Sequence, residues 1–324
     1  MKSIIIDKTW DGRRLTRFLQ KTLPSAGMGQ LRSFLRTGRV KVDGKRADGE
    51  TVLTLGKRVD LYVEDRYFET PEREDPFYSR IRPKISVLYE DEHVLLLDKR
   101  AGLICHPDEG EKVNTLLTHA QAYLYQKGEW NPKSDFAPAL CNRIDRFTAG
   151  IVILAKTQEA LREMDARIRT HEVQKYYLCI VHGKMKYADG TLRHFLLKKP
   201  EQKKVTVLRK NEPGSKEAVT YYQAIDEQGG LTLCECLLGT GRTHQIRAQF
   251  AAIGHPLLGD NQYGNVKQNE KYGRKNGQAL CAYRMIFDFE GDAGCLNGLN
   301  GLTVQVRDVP FVREYFPDVV IPAP

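Results

Sequence analysis

The 324-residue chain has no hydrophobic run of membrane-spanning length: stretches such as Val94 to Leu97 and Gly150 to Ala155 fall far short of the roughly 20 apolar residues a spanning helix needs. Its start, MKSIIIDKTWDGRR, returns to charge at once and holds no sustained apolar segment or small-residue cleavage site, so the cytoplasm is the expected compartment. Cysteines number seven, at 105, 141, 179, 234, 236, 281 and 295, with no Cys-x-x-Cys pair and no histidine spacing suited to zinc. An odd, scattered set argues against a disulfide framework and against a metal site. Cys234 and Cys236, two apart in the strand-like LTLCECLL, share a face and read as small core residues. Glycine (27) and proline (14) are at ordinary levels and 41% of residues are apolar, which excludes disorder as the main state. No internal repeat or low-complexity tract is present. A chain this long can bury a sizeable core, and its length suggests two domains.

Charge is present and unevenly placed. Residues 1–66 hold 15 Lys+Arg against 8 Asp+Glu, a net +7 of the chain's +9. Such a concentration is the footprint of a surface that meets phosphates. Within it, Asp11 is expected to cap a helix that carries Leu15, Phe18 and Leu19 on one side, with Arg13, Arg14, Arg17 and Lys21 elsewhere. After Pro24, Ser25 and Gly27 comes a second helical pattern, Leu31, Phe34 and Leu35, with Arg32 and Arg36 outward and Gly38 placed for the left-handed C′ position. Val40 and Val42 alternate with Arg39 and Lys41, and Asp43-Gly44 suits a type I′ hairpin. Val59, Leu61 and Val63 close the unit.

Residues 64–83 mix charge with three prolines, show no period and read as a linker. From Ile85 onward short strands dominate (VLY, HVLLLD, GIVILAK, YYLCIVHG, AVTYYQAID, LTLCECLL, ALCAYRMIFDF, LTVQV), with helical patterns at about 113–127, 158–169 and 241–253. The expected class is α+β: a small helix-hairpin domain over 1–63, the linker over 64–83, and a mixed, mainly antiparallel sheet domain with flanking helices over 84–324.

Four stretches could carry chemistry. In CNRIDRFTAGIVILAKT, Asp145 sits between two arginines at the mouth of an apolar strand, where nearby guanidinium groups suit an ionised nucleophile or base as well as a plain loop salt bridge. In LLGTGRTHQIRAQFAAIGHPLLGDNQYG, Arg242, His244 and Arg247 cluster near a helix start, either as an anion clamp or as capping and solvated charge. LLLDKRAGLICHP places Lys99, Arg100 and His106 around a turn. In VQKYYLCIVHG, Tyr176 and Tyr177 point to opposite faces of a strand.

In this order the four stretches resemble the RluA-type pseudouridine synthase family. The matches are Lys99, Gly102, Leu103, His106 and Pro107; Arg143-Ile144-Asp145 with Thr148 and Gly150; Lys175-Tyr176-Tyr177; and Gly241 through Arg247, continued by Gly254-His255-Pro256 and Gly259-Asp260. The likeness spans roughly residues 85–310. Residues 1–63, with two basic helices and GRVKVDGK, are similar to the small RNA-binding domain named after ribosomal protein S-four.

The resemblance implies an isomerase that detaches uracil from its ribose, rotates it and rejoins it through carbon, without metal or cofactor. Asp145 is then the essential carboxylate, as nucleophile or as base. Tyr177 packs on the flipped uracil and handles a ring proton, Arg247 pairs with Asp145, and Ile246 packs on the other side of the base. Arg143, Arg242 and His106 position RNA, while Arg13, Arg14, Arg17, Arg32, Arg36, Arg39 and Lys41 bind it in the amino-terminal unit. The expected partner is structured RNA, large-subunit ribosomal RNA ahead of tRNA, with no membrane and a monomeric enzyme. Asn142 and Ala149 stand where many relatives have His and Ser, and are expected to alter RNA contacts. The alternatives are a non-catalytic RNA-binding or ribosome-assembly factor on the same fold and a glycoside hydrolase; the latter would need a second catalytic carboxylate.

Overall fold

The computed structural model describes residues 2–69, 76–198, 204–274 and 277–321. The chain divides into two compact units, residues 1–76 and 77–324. In the first, β1 (Lys2–Ile5), α1 (Leu15–Thr22), α2 (Met28–Arg36), β2 (Val40–Val42), β3 (Lys45–Arg46) and β4 (Arg58–Leu61) build a sheet of order β1-β4-β2-β3. Leu15, Phe18, Leu19, Leu31 and Phe34 bury the apolar stripes of both helices against Val40, Val59 and Leu61. Asp43 and Gly44 both take positive φ, as a type I′ turn demands. Asp11 does not cap α1. Its Oδ1 accepts from Leu55 N at 2.9 Å, and the helix starts after Arg14 without a side-chain cap. Residues 64–69 extend this unit, with Tyr67 buried against Phe34 and Ser25 donating to the Glu69 carbonyl at 2.6 Å. Residues 70–75 of the expected linker lie outside the described residues.

The second unit runs α3 (Pro76–Arg80), β5 (Val87–Glu90), β6 (Val94–Lys99), α4 (Leu116–Gln126), β7 (Ala139–Leu140), β8 (Ala149–Ala155), α5 (Gln158–Arg169), β9 (Val173–His182), β10 (Asp189–Lys198), β11 (Val205–Leu208), β12 (Lys216–Gln228), β13 (Leu231–Leu238), α6 (Gln245–Ala252), α7 (Val266–Glu270), β14 (Leu280–Phe287), β15 (Thr303–Gln305) and α8 (Pro310–Tyr315). Its strands form one sheet of order β11-β10-β12-β13-β9-β14-β8-β6-β5, with β7 beside β8 and β15 beside β14. Pairing between these strands is antiparallel except between β14 and β8. α3 packs here: Tyr78 meets Trp130 edge-on and donates to Gln121 at 3.0 Å.

Both faces of the central strands are buried, so β8 and β9 read as continuous apolar runs rather than alternating ones. On β9, Leu178 and Ile180 join one core, while Tyr177, Cys179 and Val181 join the other. Cys234 and Cys236 lie in that second core beside Cys179, as small apolar fillers. Among the described residues no group of three or more His, Cys, Asp or Glu could hold a metal, and no helix is long and apolar enough to cross a membrane.

The parallel junction depends on Gly150. With φ of +108°, an added Cβ would lie 2.2 Å from the Ala282 carbonyl oxygen, a backbone atom with no room to move. Gly254 also has positive φ, +87°, but faces open space. Gly150→Ala is therefore expected to lower stability by on the order of 3 kcal/mol or more, and Gly254→Ala by about 1 kcal/mol. Denaturant midpoints of the two variants check this; equal losses would mean that the junction tolerates a side chain.

Candidate active site

Asp145 stands on the loop between β7 and β8, and this loop is held by unusual fastenings. Asn142 Oδ1 accepts from Ile153 N at 2.8 Å, which ties the loop to β8. Asn142 thus clamps the backbone through its carboxamide oxygen, and it also lines one of the cavities beside Asp145. Gln278 donates to Thr148 Oγ1 at 3.1 Å from the loop before β14. At the end of β6, the fully buried Lys99 ammonium donates to three carbonyls, Leu103 at 2.6 Å, Arg146 at 3.0 Å and Arg100 at 3.1 Å. Lys99 is therefore a knot between two loops, not a group facing substrate. Burial pushes its amine down to about 8.

Arg247 comes from α6. Its Nη1 donates to Asp145 Oδ2 at 2.8 Å, its Nε and Nη2 donate to Asp260 at 2.7 and 3.1 Å, and Nη2 also reaches Gln262 Oε1 at 2.8 Å. Burial disfavours this cation, yet Asp260 and Asp145 hold it above its ordinary pKa. Gln245 braces the turn before the helix, donating to Val219 O and Thr220 Oγ1 while accepting from Thr240 and Arg242 N. The helix starts at Gln245, four residues later than its sequence pattern suggests, because His244 is left-handed with φ of 55°. That conformation places His244 Nδ1 2.9 Å from the Tyr263 hydroxyl and Nε2 3.8 Å from Asp145 Oδ2. The Tyr263 hydroxyl also accepts from Val205 N at 2.8 Å. Burial lowers the His244 pKa, while the Asp145 carboxylate acts to raise it.

Three adjoining cavities of about 560, 60 and 640 Å³ share Arg143, Asp145 and His244 in their walls. The small one brings the side chains of Tyr177, Ile246 and Leu280 beside Asp145. Burial, and then Asp145, push the Tyr177 phenol up, so it keeps its proton. Arg143 is exposed and makes no hydrogen bond or ion pair among the described residues. His106 lines the first cavity, and Arg242 lines the other two while donating Nε to the Glu217 carbonyl at 3.0 Å. The expected catalytic and substrate-contact residues thus surround one cleft. His244 was read from sequence as part of a possible anion clamp, and Asp260 and Lys175 only as matches to the family without a role; Tyr263 was not singled out, although the run Gly-Asp-x-x-Tyr after α6 was the available signal. The amino-terminal cations belong to the other unit: Arg14 pairs with Glu50 at 2.6 Å and Lys41 lies over Tyr62, while Arg13, Arg17, Arg32, Arg36 and Arg39 have no side-chain partner among the described residues.

A family model described as RNA pseudouridylate synthase matches residues 93–252. An uncharacterized RNA pseudouridine synthase of Aquifex aeolicus is 32% identical over 78% of this chain and 77% of its own length. Ribosomal large subunit pseudouridine synthase D of Nitrosomonas europaea is 30% identical over 79% of this chain and 70% of its own. Among solved structures, human RNA Pseudouridylate Synthase Domain Containing 4 shares the fold at a TM-score of 0.55 and 20% identity, covering 69% of this chain and 88% of that one.

Replacing Lys99 by Met would orphan three carbonyls inside the loop knot. Stability is expected to fall by on the order of 3 kcal/mol and the cleft to lose its shape. A denaturant midpoint equal to that of the parent protein would show that the loops do not depend on the ammonium.

Proposed function

Because this chain belongs to the RNA pseudouridylate synthase family and is an RNA pseudouridine synthase, an isomerase, we propose that Asp145 carries its chemistry and that its substrate is a uridine of large-subunit ribosomal RNA. The observation that carries the catalytic reading is the Arg247 fork. It fixes one Asp145 oxygen at 2.8 Å where the three cavities meet and leaves the other free toward the cleft.

Isomerisation breaks the bond from the ribose to uracil N1 and makes one to C5, with C5 losing its proton and N1 gaining one, so positive character develops at the sugar while the freed base must be retained. An ionised, oriented carboxylate stabilises that charge. Tyr177 and Ile246 offer two apolar walls for the base, and the protonated phenol suits proton donation rather than abstraction. A flipped uridine leaves the stack at a cost of a few kcal/mol, which phosphate contacts by Arg143, Arg242 and His106 offset.

Two similar proteins, from Nitrosomonas europaea and Xanthomonas campestris, are ribosomal large subunit pseudouridine synthases D, which favours ribosomal RNA over tRNA for this chain. The amino-terminal unit, with its hairpin after two helices and its unpartnered arginines, supports a second, S-four-like RNA contact that helps select one site in a large folded substrate.

Pseudouridine mapping of total RNA, by carbodiimide labelling and reverse-transcription stops in cells lacking the gene, is expected to show a missing mark in large-subunit RNA. Wild type restores it and Asp145→Ala does not; restoration by Asp145→Ala would end the catalytic assignment, and a mark lost from tRNA would replace the substrate. For the amino-terminal unit, Arg32, Arg36 and Arg39 changed together to Ala should make the slope of log affinity against log salt shallower by about 2 at unchanged melting temperature. An unaltered slope would remove that unit from the RNA contact.

A further inference from the structure

The largest of the three cavities, about 640 Å³, lies alongside Asp145 and Tyr177 and is lined by Lys175, Lys198, Arg143 and Arg242. Lys175 is the unusual member. It sits on β9 two residues before Tyr177, on the same face of the strand, so its side chain shares the catalytic face. Its side chain is partly buried, and its ammonium makes no hydrogen bond or ion pair among the described residues. Burial alone pushes that amine down to about 8, with no neighbouring carboxylate acting to restore it. Asp145, the acidic residue in the cavity wall, has Oδ2 engaged by Arg247. Lys198 and Arg143 are likewise without ion pairs among the described residues, and Arg242 has its Nε on a carbonyl only.

A half-desolvated ammonium without a partner is destabilising, and it persists where a ligand supplies the missing anion. We propose that Lys175, with Lys198 and Arg242 around it, forms a phosphate subsite that binds the RNA phosphodiester adjoining the flipped uridine. This rests on the functional reading above. An uncharged base has no use for this ring of cations, whereas each nucleotide beside the target brings one negative charge. The same strand that offers Tyr177 to the base thereby offers Lys175 to the backbone, two residues away on one face. The two contacts fix the distance between flipped base and phosphate, so the site measures the geometry of an extruded nucleotide as well as its identity.

The test uses the full-length protein and a 20-nucleotide oligouridylate followed by fluorescence anisotropy over a range of KCl concentrations. Lys175→Met should bind about fivefold more weakly at ~0.1 M salt, with a slope of log affinity against log salt smaller by about 0.7, the value for one phosphate contact on a single strand. Lys175→Arg should keep the slope. The melting temperature of Lys175→Met should equal or exceed that of the parent, because a methionine relieves the buried charge. An unchanged slope, or a lowered melting temperature that marks a structural lysine, overturns the proposal. Lys198→Ala, at an exposed position, is the second arm: it should also lower the slope, and a parental slope there counts against the subsite. Failure of the mapping experiment with a Lys175-dependent slope intact would sink the catalytic reading and leave the phosphate site standing. The reverse outcome would sink only the subsite.

Discussion

The arrangement turns on one guanidinium shared between two carboxylates. Arg247 is buried, and so is Asp260, which gives both oxygens to Arg247 while also accepting from the backbone of Gln262 and Tyr263. That pair is closed: its charges cancel and its hydrogen-bonding capacity is used. Asp145 joins through a single bond to Nη1 and is the more open of the two acids, with 26% of its side chain exposed against 1% for Asp260. The triad of one cation and two anions therefore carries a surplus negative charge, and that surplus sits on the carboxylate that faces the cleft. A buried ion pair adds little to stability by itself. Here it orients a third group, and removal of Asp260 would leave Arg247 to compete for the electrons that Asp145 needs.

The sheet supplies the platform on which this triad can be assembled. β8 runs parallel to β14 and antiparallel to β6, with Gly150 opposite both Ala282 and Lys99. The loop after β6, the loop before β8 and the loop before β14 consequently meet at one edge. Gly150 permits the close approach, and Lys99 binds two of the loops through their carbonyls. Two lysines of the unit illustrate opposite uses of the same group. Lys99, fully buried, has three acceptors and belongs to the architecture; Lys175, partly buried, has none among the described residues and lines a cavity.

Much of this was legible in the order of residues. Leu15, Phe18, Leu31 and Phe34 mark helices because burial at a period near 3.6 leaves a pattern, and Asp43-Gly44 marks its turn because few residues tolerate positive φ. Strands β10 and β11 left no such mark. In β10 only Leu192 and Leu196 are buried along ten residues, with Arg193, His194 and Lys198 between and beyond them, so an outlying hairpin reads as a polar loop. Asp145 and Arg247 stand 102 positions apart, and no local pattern reports that they touch. The resemblance supplied that pairing; the geometry added Asp260, whose role depends on a turn after α6 that brings it back beneath its own helix. The capping role expected of Asp11 failed for a related reason, since a carboxylate near a helix start can bond any backbone amide within reach, and Leu55, 44 positions away, was closer.

Whether a polar group is already satisfied separates the residues that build this site from those left to meet a substrate. Asn142, on the loop that carries Asp145, has its carboxamide oxygen engaged by Ile153 N and so acts on the geometry of that loop and β8. Gln245 and Lys99 are likewise committed to backbone partners. Arg143, exposed, and Lys175, partly buried, border Asp145 with no partner of their own among the described residues, and holding the Lys175 charge there costs stability that the fold alone does not require. A substrate bearing regularly spaced negative charge removes that cost. Target choice on this reading resides less in the residues that do chemistry, which any uridine would satisfy, than in whether the strand on either side of it can place its phosphates against cations that the fold leaves unpaired.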